Sequence, residues 1–399
     1  MLIEVHILQN HAPSNLNRDD TGSPKEAFFG GYRRARISSQ CLKRSIRRSS
    51  IFTEQLKGLL ATRTRSLPEL VRNHLLSAGL SAELAEIGAK KASGFGTEAG
   101  KEQESNATGH YRTAQTMFLT DDDISSVCEV IEKAAREAGN KEKFEKVSAK
   151  DLQKQAEDKG FRPVSVDIAL FGRMVTSEAF LDVEASCQFA HAVSTHKVDH
   201  EFDFFTAVDD LERDAEDEAG AGADMIGHVE FNSACYYKYF NVHLEGLVDN
   251  LTRKAFKQEV KPEDEKKARE IAAKAIRALI EAACRVTPTG KQNSFAAHQL
   301  PCLVWVEIRD QNLPVSYANA FCTPVNPRTE NGLEMESIKA LKDECEKLTQ
   351  MYDLEARKRL LLTKFSDIEI LNVKQLDSLK DLLKEVEAEV LGESVNTAS

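Results

Sequence analysis

Residues 33–48 read RRARISSQCLKRSIRR, and they contain seven Lys or Arg residues and no acidic residue. The whole chain of 399 residues has a formal net charge of −11 at pH 7. An acidic chain repels a polyanion as a whole, whereas a basic segment attracts one locally. The contrast indicates a confined surface that binds phosphate groups on an otherwise acidic protein.

The same stretch has the pattern of a helix with two different faces. Ser38 or Ser39 can cap the helix, because a serine hydroxyl can accept a backbone N–H of the first turn. At about 100° per residue, one broad arc collects polar side chains. These are Gln40, Lys43, Arg44, Arg47 and Arg48, and the opposite side holds Cys41, Leu42, Ser45 and Ile46. The alternative is an ordinary solvated helix face, although such faces usually mix Glu with Lys.

Composition sets looser limits on the class of protein. The length predicts two or three structural units, and a hydrophobic content of 41% is ordinary for a globular protein. Eight cysteines without a CxxC pair disfavour a zinc ribbon and indicate reduced, mostly buried thiols. We see no signal peptide and no apolar stretch long enough to cross a bilayer. We therefore expect a cytoplasmic protein that does not bind a membrane.

Apolar patterning predicts an α+β fold. Residues 3–8 alternate as a first strand, residues 51–160 are polar and helical, and residues 164–174 are strand-like. An acidic, glycine-containing loop tip is expected at 212–224, and the end of the chain, 333–392, is predicted to be helical and acidic. Without insertions, the order approaches β-α-β-β-α-β, the ferredoxin-like or RNA-recognition-motif topology. That fold commonly presents its sheet to single-stranded RNA.

The sequence TPTGKQNS suggests a phosphate-binding loop but does not satisfy the P-loop pattern. The required first glycine is Arg285, and the residue after Lys291 is Gln292 rather than Ser or Thr. Lys291 and Gln292 could still contact a nucleic-acid backbone. A plain helix-to-strand turn is the alternative.

Other candidate residues leave their alternatives open. His191, His196, Asp199 and His200 could suggest a metal site, but structural or surface histidines are favoured because the segment is strand-like. Asp19 and Asp20 could hold Mg²⁺, yet paired acids are also common turn residues. Phe204, Phe205 and Thr206 could stack on or wedge between bases, or they could pack against their own core.

A set of long motifs occurs in a fixed order along the chain. These are LNRDD, AFFGGYRRARISSQCLKRSIRRS, VDIALFGRM, AHAVSTHKVDHEFDFFTAVDDL, TPTGKQNSFAAH and PVSYANAF. Together they resemble the CasC family, the backbone subunits of the type I-E CRISPR surveillance complex Cascade. The resemblance runs from residue 1 to about residue 325. The helical insertion and the acidic C-terminal segment carry no matched motif.

The resemblance implies a domain organisation and a set of partners. An RRM-like palm would comprise 1–50, 164–193 and 236–332, with a helical fingers insertion at 51–163, a thumb hairpin at 194–235 and an acidic helical segment at 333–399. Copies would stack head to tail along CRISPR RNA beside other Cascade subunits, and the guide would pair with target DNA. No catalysis, cofactor or metal is expected.

The basic helix and the matched motifs together predict the residues that contact RNA. They are Arg18, Arg34, Arg36, Ser38, Ser39, Gln40, Lys43, Arg44, Arg47, Arg48, Arg173, Met174, Phe204, Phe205, Thr206, Lys291 and Gln292.

Two enzymatic alternatives remain. A metal-dependent ribonuclease would use Asp19 or Asp20, and its RNA cleavage would depend on Mg²⁺. An endonuclease that processes CRISPR RNA would need a His, Tyr or Lys set at the cleaved phosphate, and no such set stands out in the sequence.

Overall fold

The computed structural model describes residues 1–158, 164–175, 177, 179–180, 182–207, 225–252, 260–366, 368, 370 and 372–393. The strands are β1 (Leu2–Ser14), β2 (Glu26–Phe29), β3 (Tyr32–Ile37), β4 (Thr62–Thr64), β5 (Met117–Leu119), β6 (Cys187–Phe189), β7 (Ala192–Ser194), β8 (Glu201–Ala207), β9 (Met225–His243), β10 (Leu303–Arg309), β11 (Lys358–Thr363) and β12 (Lys374–Gln375). The helices are α1 (Ser39–Arg47), α2 (Ser50–Gln55), α3 (Leu67–Ser77), α4 (Ala82–Ser93), α5 (Asp121–Ala138), α6 (Lys141–Glu145), α7 (Ala149–Asp158), α8 (Val166–Phe171), α9 (Leu244–Thr252), α10 (Pro262–Arg285), α11 (Gln292–Phe295), α12 (Gly332–Tyr352) and α13 (Leu379–Leu391).

The chain forms two compact units and is a mixed α+β protein, as the patterning predicts. Unit 1 comprises Met1–Gln55, Gln188–His243 and Ile276–Ser399, and unit 2 comprises Leu56–Cys187 and Leu244–Ala275. Most of the predicted insertion at 51–163 lies in unit 2, together with 164–187 and 244–275. The boundaries given above for the palm, the fingers, the thumb and the C-terminal segment remain predictions. In the parts of the chain that the structure describes, no helix is long and apolar enough to cross a membrane.

A ten-stranded sheet organises unit 1. Its strands run in the order β12-β11-β10-β1-β9-β7-β3-β2, and β6 and β8 also pair with β9. The predicted first strand is confirmed as β1, which pairs antiparallel with both β9 and β10. Its Ile3 lies opposite Val242 on one side and Ile308 on the other. The alternating residues Glu4 and His6 are also fully buried. Both faces of β1 are therefore covered.

The face of β1 that carries Glu4 and His6 contacts a buried polar cluster. The Glu4 carboxylate accepts hydrogen bonds from the Tyr239 hydroxyl at 2.6 Å and from Arg309 Nε at 2.7 Å. The Tyr317 hydroxyl donates to Glu307 Oε2 at 2.7 Å. Tyr317 belongs to the PVSYANAF motif, so this motif supplies a hydrogen-bond donor to a buried carboxylate of the sheet.

The C-terminal segment differs from its predicted all-helical character. It contains α12 and α13, but β11 pairs antiparallel with β10, and β12 pairs parallel with β11. Thus part of the segment extends the sheet of unit 1. The run KRLLLT is short, and a short apolar run does not reveal its own secondary structure. The pairing partner β10 decides it.

Unit 2 is mainly helical and has its own core. Leu75 of α3, Ile131 of α5 and Phe144 of α6 are fully buried in one apolar cluster. The pattern predicts an all-helical insertion, and the structure differs from this because β4 and β5 form a two-stranded antiparallel sheet.

The pattern predicts a strand at residues 164–174, and the structure corrects this. Residues Val166–Phe171 form α8, which ends at Gly172 with φ of 80°. The buried Asp167 carboxylate accepts the Ala61 N–H at 2.8 Å. The mostly apolar run VDIALF is ambiguous between helix and strand from its pattern, and the contact of Asp167 with Ala61 accompanies the helix.

Candidate nucleic-acid interface

The predicted basic helix is confirmed as α1, and Ser38 is its cap. The Ser38 hydroxyl accepts the Cys41 N–H at 3.3 Å. Leu42 and Ile46 are each only 3% exposed, so the apolar side is anchored as predicted. The helix has no acid in its first turn and has basic residues in its last turn.

The polar arc of α1 lies on the outside of unit 1. Gln40, Arg44 and Arg48 are exposed, and Lys43 and Arg47 are half-buried. Long basic side chains commonly bury their stems and keep their charged ends in water. The arc therefore presents positive charge from a helix with a fixed orientation.

Other elements converge on the N-terminal end of α1. The Ser38 N–H donates to Asn17 Oδ1 at 2.9 Å, and the Ser39 N–H donates to His191 Nδ1 at 3.1 Å. Arg36 of β3 pairs with Val193 of β7, and its Nε donates to the Glu26 carbonyl at 2.9 Å. The loop after β1, the end of β3 with its partner β7, and the helix start therefore meet here. Sequence reasoning did not select Asn17 for this role.

The loop that contains LNRDD and the loop that contains TPTGKQNS also lie against each other. A Cβ on Gly290 would lie 2.5 Å from both the Asn15 and the Leu16 carbonyl oxygens, so only glycine allows this approach. Gly290 and residues 16–22, including the exposed Arg18, line a cleft of about 470 Å³.

Lys291 and Gln292 shape the turn that follows Gly290. Lys291 has φ of 50°, and the Gln292 side-chain oxygen accepts the Ala297 N–H at 2.8 Å. The Gln292 amide nitrogen donates to the Pro288 carbonyl at 3.1 Å. The side chain of Gln292 is thus used within its own loop, whereas Lys291 is half-buried.

The Asp19 carboxylate stabilises a turn. It accepts hydrogen bonds from the Thr21 hydroxyl at 2.8 Å and from the Thr21 and Ser23 N–H groups at 3.0 Å. The pKa of Asp19 is lowered chiefly by the Thr21 hydroxyl and further by backbone N–H groups of the turn. Asp20 is exposed. Across the described residues, no cluster of three or more His, Cys, Asp or Glu side chains has a metal-binding arrangement.

Arg34 and Arg173 are buried rather than presented on a surface. Arg34 in unit 1 is 0% exposed and donates to the Ser194 and Phe321 carbonyls at 3.1 and 2.6 Å. Arg173 in unit 2 is 6% exposed and forms an ion pair with Asp123 at 2.8 Å. The guanidinium groups of both residues bind other groups of the protein, so neither residue fits an exposed RNA contact in this conformation. Met174, by contrast, is 90% exposed in unit 2.

The aromatic pair on β8 faces two directions. Phe204 lies opposite His228 of β9, with ring centroids 5.2 Å apart, and Phe205 lies opposite Gly227. Neighbouring strand residues point to opposite faces, so Phe204 shares its face with Thr206 and with Phe202. Phe202 is 65% exposed. Sequence reasoning missed it, although the spacing of two from Phe204 was a usable signal. The predicted acidic tip at 212–224 lies outside the described residues.

His196 and His200, in the predicted thumb at 194–235, have protein partners. His196 Nδ1 lies 2.8 Å from the Lys197 carbonyl. His200 lies between two carboxylates, with Nε2 at 2.5 Å from Glu26 Oε1 and Nδ1 at 3.4 Å from Glu230 Oε2. The His200 contacts join the β2–β3 hairpin to the base of the β8–β9 pair.

Comparison with known proteins places this α+β protein with its basic helix in a family. The chain belongs to the CT1975-like protein family, whose sequence profile matches residues 3–388. No curated protein sequence matches it. One similar solved chain is described as "CRISPR RNA-guided surveillance complex, pre-nicking"; it has a TM-score of 0.80 and 27% identity over 98% of this chain and 100% of that chain. Another, described as "CRISPR RNA-guided surveillance complex", has a TM-score of 0.71 and 23% identity over the same shares of the two chains.

Proposed function

We propose that the chain is a non-catalytic, RNA-binding scaffold, the CasC-type backbone subunit of a type I-E Cascade complex in antiviral defence. The basic face of α1 carries this proposal, since it combines an acid-free helix, a buried apolar side and a serine cap. The likeness to a surveillance-complex chain over nearly the full length of both chains supports it. The proposed ligand is the phosphate backbone of CRISPR RNA.

The topology of unit 1 supports an RRM-like palm in the same proposal. The central strands run β10-β1-β9-β7, with α1 between β1 and β7 and α10 between β9 and β10. This is a β-α-β-β-α-β order on an antiparallel sheet. In the proposal, the fingers at 51–163 lie mostly in unit 2, and the thumb at 194–235 contains β8 and the first part of β9.

A guide carrier must bind RNA without reading its sequence. Contacts to phosphates satisfy this requirement, because base pairing, not the protein, then reads the target. The acidic remainder of the chain limits binding to other cellular RNA. We propose neighbouring copies of the chain and other Cascade subunits as partners, target DNA reached through guide pairing, and a cytoplasmic location.

The basic face is tested by reversing two of its charges. The variant Arg44→Glu with Arg48→Glu should weaken binding to unrelated single-stranded RNAs about equally. The slope of log affinity against log salt should flatten by roughly 0.7 for each phosphate that the variant no longer binds. The control is Lys133→Glu with Lys141→Glu in unit 2, which has the same net charge change at exposed positions. Sequence-selective weakening, or an equal effect of the control pair, would contradict the proposed role of α1.

Assembly and catalysis need separate experiments. Purification from cells with a CRISPR array should yield discrete bound RNA and helical oligomers, and purification without the array should not. Guide-loaded complex incubated with complementary RNA, complementary DNA or a repeat hairpin in Mg²⁺ or Mn²⁺ should cleave none of them. Cleavage that disappears in Asp19→Ala or Asp20→Ala would establish the ribonuclease alternative instead.

A further inference from the structure

His191 occupies a defined position at the start of α1. It directly precedes β7, whose Ala192 pairs with Ile37 of β3, the residue before the cap Ser38. His191 Nδ1 accepts the Ser39 N–H at 3.1 Å. An imidazole nitrogen that accepts a hydrogen bond carries no proton, so the proton of the neutral ring is on Nε2. The contact with Ser39 thus fixes both the tautomer and the orientation of the ring.

The free side of this ring lies in a positive environment. His191 is exposed, and no hydrogen bond to its Nε2 occurs within the described ranges of the chain. Partial burial, followed by the charges of Arg36 and Lys25, lowers the pKa of His191 below its ordinary value. The ring is therefore neutral at pH 7 although it stands among cations.

The groups around His191 determine which ligand suits it. Arg36 and Lys25 supply positive charge, and the N-terminal end of α1 adds the favourable end of its dipole. The Glu26 carbonyl accepts from Arg36, and the Glu26 side chain already contacts Arg33 at 3.5 Å and His200 at 2.5 Å. An anion with several acceptor oxygens can use the cations and the Nε2–H together.

We infer that His191 donates a hydrogen bond from Nε2 to a phosphodiester oxygen of the bound RNA. This inference rests on the proposed RNA-binding function and adds a residue of a different kind to it. A neutral donor increases affinity but displaces no counterion, so its contribution does not depend on salt. Lysine and arginine contacts on the same surface do depend on salt. The two contributions can therefore be separated by experiment.

The experiment measures binding of the full chain to fluorescent single-stranded RNA across a salt series at pH 7.5. His191→Phe should raise Kd by about tenfold, the size of one hydrogen bond to a charged acceptor, and leave the salt slope unchanged. Arg44→Gln should lower the slope by about 0.7. His191→Gln should recover part of the affinity, because the amide can accept from Ser39 and still donate.

A purely structural role of His191 is separated by a second variant. Asn17→Ala removes the acceptor of the Ser38 N–H, which is a comparable hydrogen bond at the helix entry. Its effect on affinity should be clearly smaller than that of His191→Phe at matched thermal stability. Equal effects would overturn the inference.

The remaining outcomes separate the inference from the function on which it rests. A lower salt slope in His191→Phe, or affinity equal to wild type while Arg44→Gln is weakened, would overturn the inference alone. Failure of the wild-type chain to bind RNA at all would overturn the proposed function.

Discussion

At the scale of single residues, the arginines of the basic stretch do different work. Arg34 and Arg44 lie in the same acid-free segment, yet Arg34 is fully buried and Arg44 is exposed. The guanidinium of Arg34 donates to backbone carbonyls of Ser194, Phe321 and Cys322. It therefore joins β3 to the end of β7 and to the end of the PVSYANAF motif. Composition alone cannot separate these two roles.

We predict that Arg34→Met destabilises unit 1 by about 1–3 kcal/mol, because buried carbonyl oxygens lose their donor. Urea unfolding followed by the fluorescence of the single tryptophan, Trp305, measures this, since Trp305 is buried in unit 1. The matched control is Arg33→Met. Arg33 is exposed and forms a 3.5 Å ion pair with Glu26, so its replacement should cost no more than about 1 kcal/mol. Equal costs for the two variants would show that Arg34 is not a structural arginine.

At the scale of elements, the β8–β9 pair shows what strand geometry adds to an aromatic motif. Phe204 is 57% and Phe205 is 40% exposed, but they lie on opposite faces. A Cβ on Gly227 would come within 2.3 Å of the Phe205 ring, so this ring lies directly over the glycine. Phe205 therefore covers its own strand partner, whereas Phe204 shares its face with the exposed Phe202 and with Thr206.

We predict unequal effects of the two phenylalanines on RNA binding. If the bases contact the Phe204 face, Phe204→Ala should cost about 1–3 kcal/mol for each stacked base. Phe205→Ala should reduce the affinity less than Phe204→Ala does. It should also increase hydrogen exchange of the β8 backbone, because the Phe205 ring no longer covers Gly227 of the partner strand. Fluorescence binding measures the affinity, and hydrogen exchange measures how well the β8 amides are protected. Equal reductions in affinity, or a larger reduction for Phe205→Ala, would assign the RNA contact to the other face.

At the scale of the whole molecule, the sheet of unit 1 buries titratable groups. His6 and His11 are at most 1% exposed, and burial lowers the pKa of each to about 4. The unfolded chain binds protons near pH 6.5, where these folded histidines do not. Stability contributed by both is therefore complete above about pH 6.5 and is lost as the pH falls toward 4.

We predict that the unfolding free energy of unit 1 falls with decreasing pH, by up to about 1.4 kcal/mol per pH unit for each histidine. Burial raises the pKa of Glu4, which opposes this trend at the acid end. His6→Gln should reduce the slope between pH 6.5 and 5, whatever its absolute stability. Val5→Ala, which removes no titratable group, should lower stability at every pH and keep the slope. Urea unfolding of both variants at several pH values provides the measurement, and an unchanged slope in His6→Gln would contradict the prediction.

Agreement between sequence pattern and structure varies along the chain for physical reasons. The predictions for β1 and α1 are confirmed, because period-2 and 3.6-residue patterns are local properties. The predicted strand at 164–174 is wrong, and the helical prediction for 333–392 is only partly right. Both segments contain short apolar runs whose state depends on partners distant in the chain, Ala61 for α8 and β10 for β11.

The sequence by itself determined the α+β class, the basic face of α1 and its serine cap, because charge and periodicity are written residue by residue. Only the tertiary structure decided which basic residues are presented and which are buried. It placed Arg34 among carbonyls, joined Asn17 and His191 to the start of α1, and paired Phe204 with His228 and Phe205 with Gly227. Each of these depends on segments far apart in sequence meeting in one sheet, and no local pattern specifies such contacts.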